Sequence, residues 1–187
     1  MSAANSPAPS RPVRPVQVVV MGVSATGKSS VARRLAELHE CDFIEGDDLH
    51  PRANVAKMEA GDPLTDEDRW PWLARVAQTM REQADAGRSS VVTCSALKRA
   101  YRDRLREDVA DVWFLHLHAP AAVLEDRMSR RTRHFMPVSL LASQLATLEP
   151  LAPAEHGRVV DVTPPLDDVV AAASRALAEL LNESPGA

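Results

Sequence analysis

A β-branched run from Val16 to Met21 leads straight into Gly22-Val23-Ser24-Ala25-Thr26-Gly27-Lys28-Ser29, and an amphipathic stretch from Lys28 to Glu40 follows. The octapeptide matches G-x-x-x-x-G-K-[ST] without a gap. By composition, a match this good arises in roughly one sequence in a hundred or fewer. The pattern constrains the fold because it works in one setting only. A strand must deliver the chain into the turn, and a helix must lead out of it. Consecutive N–H groups then curl around an anion, and the positive end of the helix faces the same way. Lys28 is expected at the β- and γ-phosphates of a nucleoside triphosphate, and the Ser29 hydroxyl on Mg²⁺. Gly22, Val23, Ser24, Ala25, Thr26, Gly27 and Ser30 complete the expected triphosphate cradle.

The rest of the chain agrees with an α/β fold. Asp42 to Glu45, Ser90 to Cys94, Val112 to Leu117 and Val159 to Val162 are short apolar runs that read as strands. Residues 51–87 read as helical, interrupted near Gly61-Asp62-Pro63 and bent near Pro71. Thr65 with Asp68 resembles a capping box. Leu166, Val169, Val170, Ala173, Leu177, Leu180 and Leu181 form one stripe of a closing helix. Strands apolar throughout and separated by helices imply a parallel sheet covered on both faces, a three-layer P-loop NTPase sandwich. The strand order stays open at this stage. Ligands in such folds sit at the carboxyl ends of the strands.

Composition narrows the class. With 45% hydrophobic and 26% charged residues in 187, one kinase-sized domain over residues 16–187 is expected. Met1 to Pro15 holds Pro7, Pro9, Pro12 and Pro15 and lacks the apolar core of a secretory signal; it is expected to be a disordered tail. No stretch approaches the roughly 18 apolar residues of a membrane span. A net charge of −4 speaks against a nucleic-acid-coating role. Two cysteines cannot build a disulfide framework, so a cytoplasmic setting is expected.

What receives the phosphoryl group is marked after the second strand, at Glu45-Gly46-Asp47. Two acids beside a phosphate loop suit two tasks, one near Mg²⁺ and one at an acceptor hydroxyl. The candidates are a small-molecule kinase, a nucleotide kinase, and a hydrolysing switch or motor. No N-K-x-D element specifies guanine. An AAA-type ATPase would need a longer chain and an acid closing an apolar strand. The third strand instead leads into Cys94-Ser95-Ala96-Leu97-Lys98, a hydroxyl and a cation.

Longer blocks carry a resemblance. Gly46-Asp47-x-Leu49-His50-Pro51, Asn54-x-x-Lys57-Met58 and Gly61-x-Pro63-Leu64-x-Asp66-x-Asp68-Arg69-x-Pro71-Trp72-Leu73 are similar to the gluconokinase family. So are Cys94-Ser95-Ala96-Leu97-Lys98-x-x-Tyr101-Arg102-Asp103, His134-Phe135-Met136 and Leu148-Glu149-Pro150-Leu151. The likeness runs from about Val18 to Leu181. It implies ATP-dependent phosphorylation of D-gluconate to 6-phosphogluconate, a fold shared with shikimate and adenylate kinases, and commonly a homodimer. It gives Asp47 the acceptor hydroxyl and Glu45 the Mg²⁺ side. His50, Asn54, Lys57, Arg69, Ser95, Lys98 and Arg102 become candidates for the sugar-acid site, whose carboxylate calls for cations and whose hydroxyls call for short polar groups. Lys98 and Arg102, four apart, also fit a solvated helix face, and His50 before Pro51 also fits a helix entry. Trp70 and Trp72 read as packing residues, and Cys94 as a small buried one.

Arg127, Arg130, Arg131, Arg133 and His134 crowd the segment after the fourth strand's helix. Relatives carry a mobile lid there, here about residues 127–140, and Arg127 and Arg131 are its expected clamps on ATP. The turn Thr163-Pro164-Pro165 lies where relatives pack the base. Two alternatives remain. A shikimate kinase usually has Gly-Gly-Gly where this chain has Cys94-Ser95-Ala96. A nucleotide-binding regulator would have no need of Lys28, Ser29, Asp47 and an arginine lid together.

Overall fold

Strands β1 (Gln17–Met21), β2 (Asp42–Ile44), β3 (Ser90–Thr93), β4 (Val112–His118) and β5 (Gly157–Asp161) pair in parallel in the order β2-β3-β1-β4-β5. They belong to a computed structural model that describes residues 15–107, 109, 111–130 and 138–182. The expected tail, apart from Pro15, and the expected lid residues 131–137 lie outside the described residues.

β1 is central because every one of its residues is buried, a position only an apolar strand tolerates. The helix after β1, α1 (Lys28–Leu38), carries the chain outward to β2. The helix after β3, α4 (Arg99–Arg106), carries it back across β1 to β4. The chain therefore reverses direction between β1 and β3, and the crevice at their carboxyl ends is where such a sheet binds ligands. Register sharpens this. Val20 pairs with Thr93, and Ile44 with Val92, so Glu45, just past the end of β2, comes level with Thr93, the last residue of β3.

Right-handed crossovers in opposite directions place helices on opposite faces. α1 packs with α7 (Leu166–Asn182), joined by Arg34–Asp167 at 3.4 Å and His39–Ser174 at 2.9 Å. α3 (Asp66–Asp85) packs with α4 on the other side, after α2 (Arg52–Ala60). α3 buries Trp72, Leu73, Val76, Ala77 and Met80, a stripe of helical spacing. Its capping box is present: Asp68 N donates to Thr65 Oγ1, and Thr65 N to Asp68 Oδ2. The helix runs through Pro71, which has no N–H to donate to the carbonyl of Glu67 one turn back. In α7, Val169, Val170, Ala173 and Leu177 are buried as expected. Leu166 stands 43% exposed, ahead of the stripe, and the side chains of Leu180 and Leu181 are outside the described ones. Two further helices are α5 (Ala121–Ser129) and α6 (Val138–Thr147). Nothing in the sequence reading called for α6.

One core residue has an incomplete set of partners. His116 on β4 is 4% exposed, and its Nδ1 has no hydrogen-bond partner among the described residues. Burial, then the charges of His118 and Arg102, lowers its pKa to about 4. An unfolded histidine titrates near 6.5, so the folded state is at full advantage above that pH and loses it as pH falls toward 4. By linkage, about 2 kcal/mol is lost by pH 5. Urea unfolding at pH 7.5 and 5.0 should therefore show a loss in the wild type that exceeds the loss in His116→Leu by about this amount. Equal losses would remove His116 from the acid sensitivity.

Candidate active site

The phosphate loop is shaped by residues that only its conformation requires. Gly22 has φ +138°, and a Cβ there would meet Leu117 O at 2.6 Å. Gly27, at φ +85°, caps α1, and Ala25 also takes a positive φ of 66°. This alternation of backbone hands turns successive N–H groups inward, the concavity an anion needs. Thr26 Oγ1 donates to Val23 O at 2.9 Å and Lys28 Nζ to the same carbonyl at 3.1 Å, bracing the loop from within. Ser29 and Ser30 are exposed in the first turn of α1. The residues fit a triphosphate.

Beside it, the acid turn is a short 3₁₀ helix over Gly46–Leu49. Gly46 has no room for any side chain, since a Cβ would lie 1.8 Å from Thr93 O. Thr93 Oγ1 accepts from Gly46 N at 2.9 Å and donates to Glu45 Oε1. Trp72 Nε1 donates to Gly46 O at 2.7 Å. The turn is thus fastened to β3 and α3 at once, with the exposed Asp47 carried on it.

Asp47 opens onto a cavity that also gathers Ser24, Lys28, His50, Arg69 and Ser95 from the expected set. His50 stacks on Trp72, ring centroids 4.0 Å apart. Burial, then the Arg69 charge, lowers its pKa to about 4, so the ring is neutral near pH 7. Asn54 Nδ2 donates to Asp68 O at 2.8 Å and faces His50 Nδ1 at 3.3 Å. Nδ1 is therefore the acceptor, and Nε2 carries the ring proton. Arg69 is 9% exposed, its guanidinium 5.8 Å from the Tyr101 ring centroid, and no salt bridge joins it to a carboxylate among the described residues. It is a buried cation at the edge of a cavity.

Four candidates face elsewhere. Asn54 supports His50 rather than lining the cavity. Lys57 grips Asp68 at 2.7 and 2.8 Å, and Lys98 grips Asp66 at 2.8 Å to both oxygens. Hydrogen bonds from Lys98 and then Tyr101 hold Asp66 below the usual carboxylate range, and Lys57 does the same for Asp68. Arg102 is fully buried and far from a solvated face. It bonds both oxygens of Glu155, at 2.7 and 2.9 Å, and the carbonyls of Ala96, Leu97, Glu149 and Pro150. Burial pushes Glu155 up, but Arg102 outweighs it and the carboxyl is held low. Cys94 is buried and its thiol is pushed up to about 12, which leaves it a packing residue. Arg127 Nη2 donates to Val162 O, next to the Thr163-Pro164-Pro165 turn. Arg131 lies outside the described residues.

The structure adds wall residues that the sequence reading did not assign. Met58 comes from α2, Asp62, Pro63 and Leu64 from the α2–α3 connection, and Leu140, Ser143 and Gln144 from α6. The Gly61-x-Pro63-Leu64 block was visible, but its part in the wall was not. No cluster of three or more His, Cys, Asp or Glu able to hold a metal occurs among the described residues. A magnesium ion held by one hydroxyl, phosphate oxygens and water needs none.

Sheet order, phosphate loop, acid turn and the cavity between them define a small P-loop kinase. Residues 18–151 match the family described as an AAA domain, to which the chain belongs. That description departs from the expectation against an AAA-type ATPase, but the relatives themselves are kinases. The gluconokinase of Gluconobacter oxydans is 52% identical over 151 residues, covering 81% of this chain and 84% of its own. The thermoresistant gluconokinase of Escherichia coli is 42% identical over 82% of this chain and 88% of its own. The crystal structure of a gluconokinase from Sinorhizobium meliloti superposes with TM-score 0.83 at 48% identity, covering 90% of this chain and 95% of that one. The chain belongs to the gluconokinase family.

Proposed function

We propose that Asp47 receives the proton of the acceptor hydroxyl in an enzyme that transfers the γ-phosphoryl group of ATP to D-gluconate, giving 6-phospho-D-gluconate. The observation that carries this is one cavity holding Lys28, Asp47, His50 and Arg69 together. The phosphate loop holds the triphosphate through its N–H groups, and Lys28 neutralises charge on the transferred group. The Asp47 carboxylate orients the acceptor hydroxyl and takes its proton as the oxygen attacks phosphorus, with ADP as leaving group. Mg²⁺, held by Ser29 and on the Glu45 side, would screen the phosphates when bound.

At the other end, Arg69 supplies the cation for the sugar-acid carboxylate. His50 Nε2–H and Ser95 supply polar contacts to the carbon chain. Asn54 acts through His50. Lys57 and Lys98 act through Asp68 and Asp66, holding the start of α3 in place. Arg127 and Arg131 serve the nucleotide side, Arg127 through the turn after β5. No helix among the described residues is long and apolar enough to cross a membrane. A cytoplasmic setting is part of the same proposal. The homodimer that the family likeness suggests is checked by light scattering.

The test is ADP release from Mg-ATP with gluconate, shikimate, AMP, CMP or no acceptor. Release that depends on gluconate is expected. Release without an acceptor would mark an NTPase, and release with shikimate alone would move the substrate.

A further inference from the structure

The phosphate loop is touched by one side chain with no place in the scheme above. Gln144, near the end of α6, accepts at Oε1 from Ser24 N at 2.7 Å and from Ser24 Oγ at 3.0 Å. Two donors on one oxygen decide which way the amide lies. Its carbonyl faces Ser24, so its NH₂ is turned away from the loop. That Nε2 has no hydrogen-bond partner among the described residues. Gln144 lines the same cavity as Asp47 and Arg69. A fixed amide with two unused donors beside the reacting end of a polyhydroxy acceptor is a recognition group in want of an oxygen.

The segment that carries it is anchored. Leu148 N donates to Gln144 O at 2.9 Å, and Glu149 N to Leu97 O at 2.8 Å. Arg102 Nη1 donates to Glu149 O at 3.1 Å. The exit of α6 is thereby tied to the loop after β3, the same loop that bears Ser95. Leu140 and Leu141 are buried beneath it.

We propose that Gln144 is an acceptor-binding residue anchored on the phosphate loop. Its Oε1 is held by Ser24, and its Nε2 donates to a hydroxyl oxygen at the end of gluconate that is phosphorylated. Nucleotide loop and acceptor then share one amide, so the acceptor is placed relative to the triphosphate rather than to the cavity wall alone. This rests on the reading that the cavity receives gluconate.

The experiment compares wild type, Gln144→Ala, Gln144→Glu and Arg69→Ala in steady-state kinetics with gluconate, and measures Mg-ADP affinity by calorimetry without acceptor. For Gln144→Ala we expect the gluconate KM to rise by about tenfold or more, with Mg-ADP affinity within about threefold of wild type. Gln144→Glu keeps an oxygen for Ser24 but removes the donors, so it should not restore the KM. If Gln144→Ala melts early, Gln144→Met, which keeps the bulk, takes its place. An unchanged KM in Gln144→Ala overturns the proposal. So does recovery in Gln144→Glu, which would reduce the residue to a tie, or unchanged KM with tighter Mg-ADP, which would make it a plug on the loop. Arg69→Ala separates the two levels. If it raises the KM while Gln144→Ala does not, only this proposal falls. If neither variant raises it, the cavity reading falls too.

Discussion

Asp47→Asn should lower kcat by roughly 10³-fold and leave nucleotide affinity within about twofold. The substitution keeps the size of the side chain and one acceptor oxygen, but the amide cannot take a proton. Asp47 is exposed and its side chain supports no other part of the turn, which is held by Gly46, Thr93 and Trp72. The melting temperature should therefore not move. The lost rate is expected to belong to chemistry, not to folding or to ATP binding, because Asp47 lies outside the Gly22–Ser30 phosphate loop. Stopped assays of ADP release together with calorimetric binding of Mg-ADP read the two quantities separately. A kcat within about tenfold of wild type would take Asp47 out of the proton transfer and leave it an orienting group at most.

The second large effect is on stability. Arg102→Ala takes the guanidinium away from both oxygens of Glu155 and from four backbone carbonyls, of which Leu97 O keeps Glu149 N as a donor. Glu155 is 5% exposed, so its charge would be left in the interior with only Ala152 N at 2.8 Å and Arg99 at 4.0 Å beside it. Breaking such a pair on one side costs about 3–5 kcal/mol, and for a chain of this size the midpoint should fall on the order of 10 °C. Replacing the acid as well, with Glu155→Gln, should recover part of the loss, because the uncompensated charge goes with it. Thermal melts of the two variants test this. A midpoint within about 2 °C of wild type, with a raised gluconate KM, would instead return Arg102 to the sugar-acid site.

The contrast between these two residues shows what the sequence could carry. The place of Asp47 on the cavity was legible because the marks that point to it are local. It stands one residue past a glycine, at the end of a strand, beside a phosphate loop, and each of those marks is a matter of adjacent letters. The strands and the Thr65 capping box were legible for the same reason. Arg102, Lys98 and Lys57 were singled out as cations that a carboxylate substrate would want. Their carboxylates turned out to be Glu155, Asp66 and Asp68, separated by 53, 32 and 11 positions. Pairings at that range depend on how the helices stack, which the spacing of residues in one segment does not encode. α6 was missed because Val138 to Thr147 offers neither a strong polar face nor a distinctive cap, and with it went Leu140, Ser143 and Gln144. Strand order is likewise a property of crossovers, not of any one strand.

The 1.8 Å clearance at Gly46 has a further consequence for descent. A turn that admits no Cβ is closed to gradual change, because every single substitution there must push a strand aside. The cavity wall made by Met58, Leu64 and Leu140 is under no such restriction, since it stands on two helices and a connecting segment outside the sheet. Lineages that come to phosphorylate other sugar acids should therefore keep the glycine and its aspartate while the wall is recut around them. Reaction and acceptor preference can evolve at different speeds within one small domain.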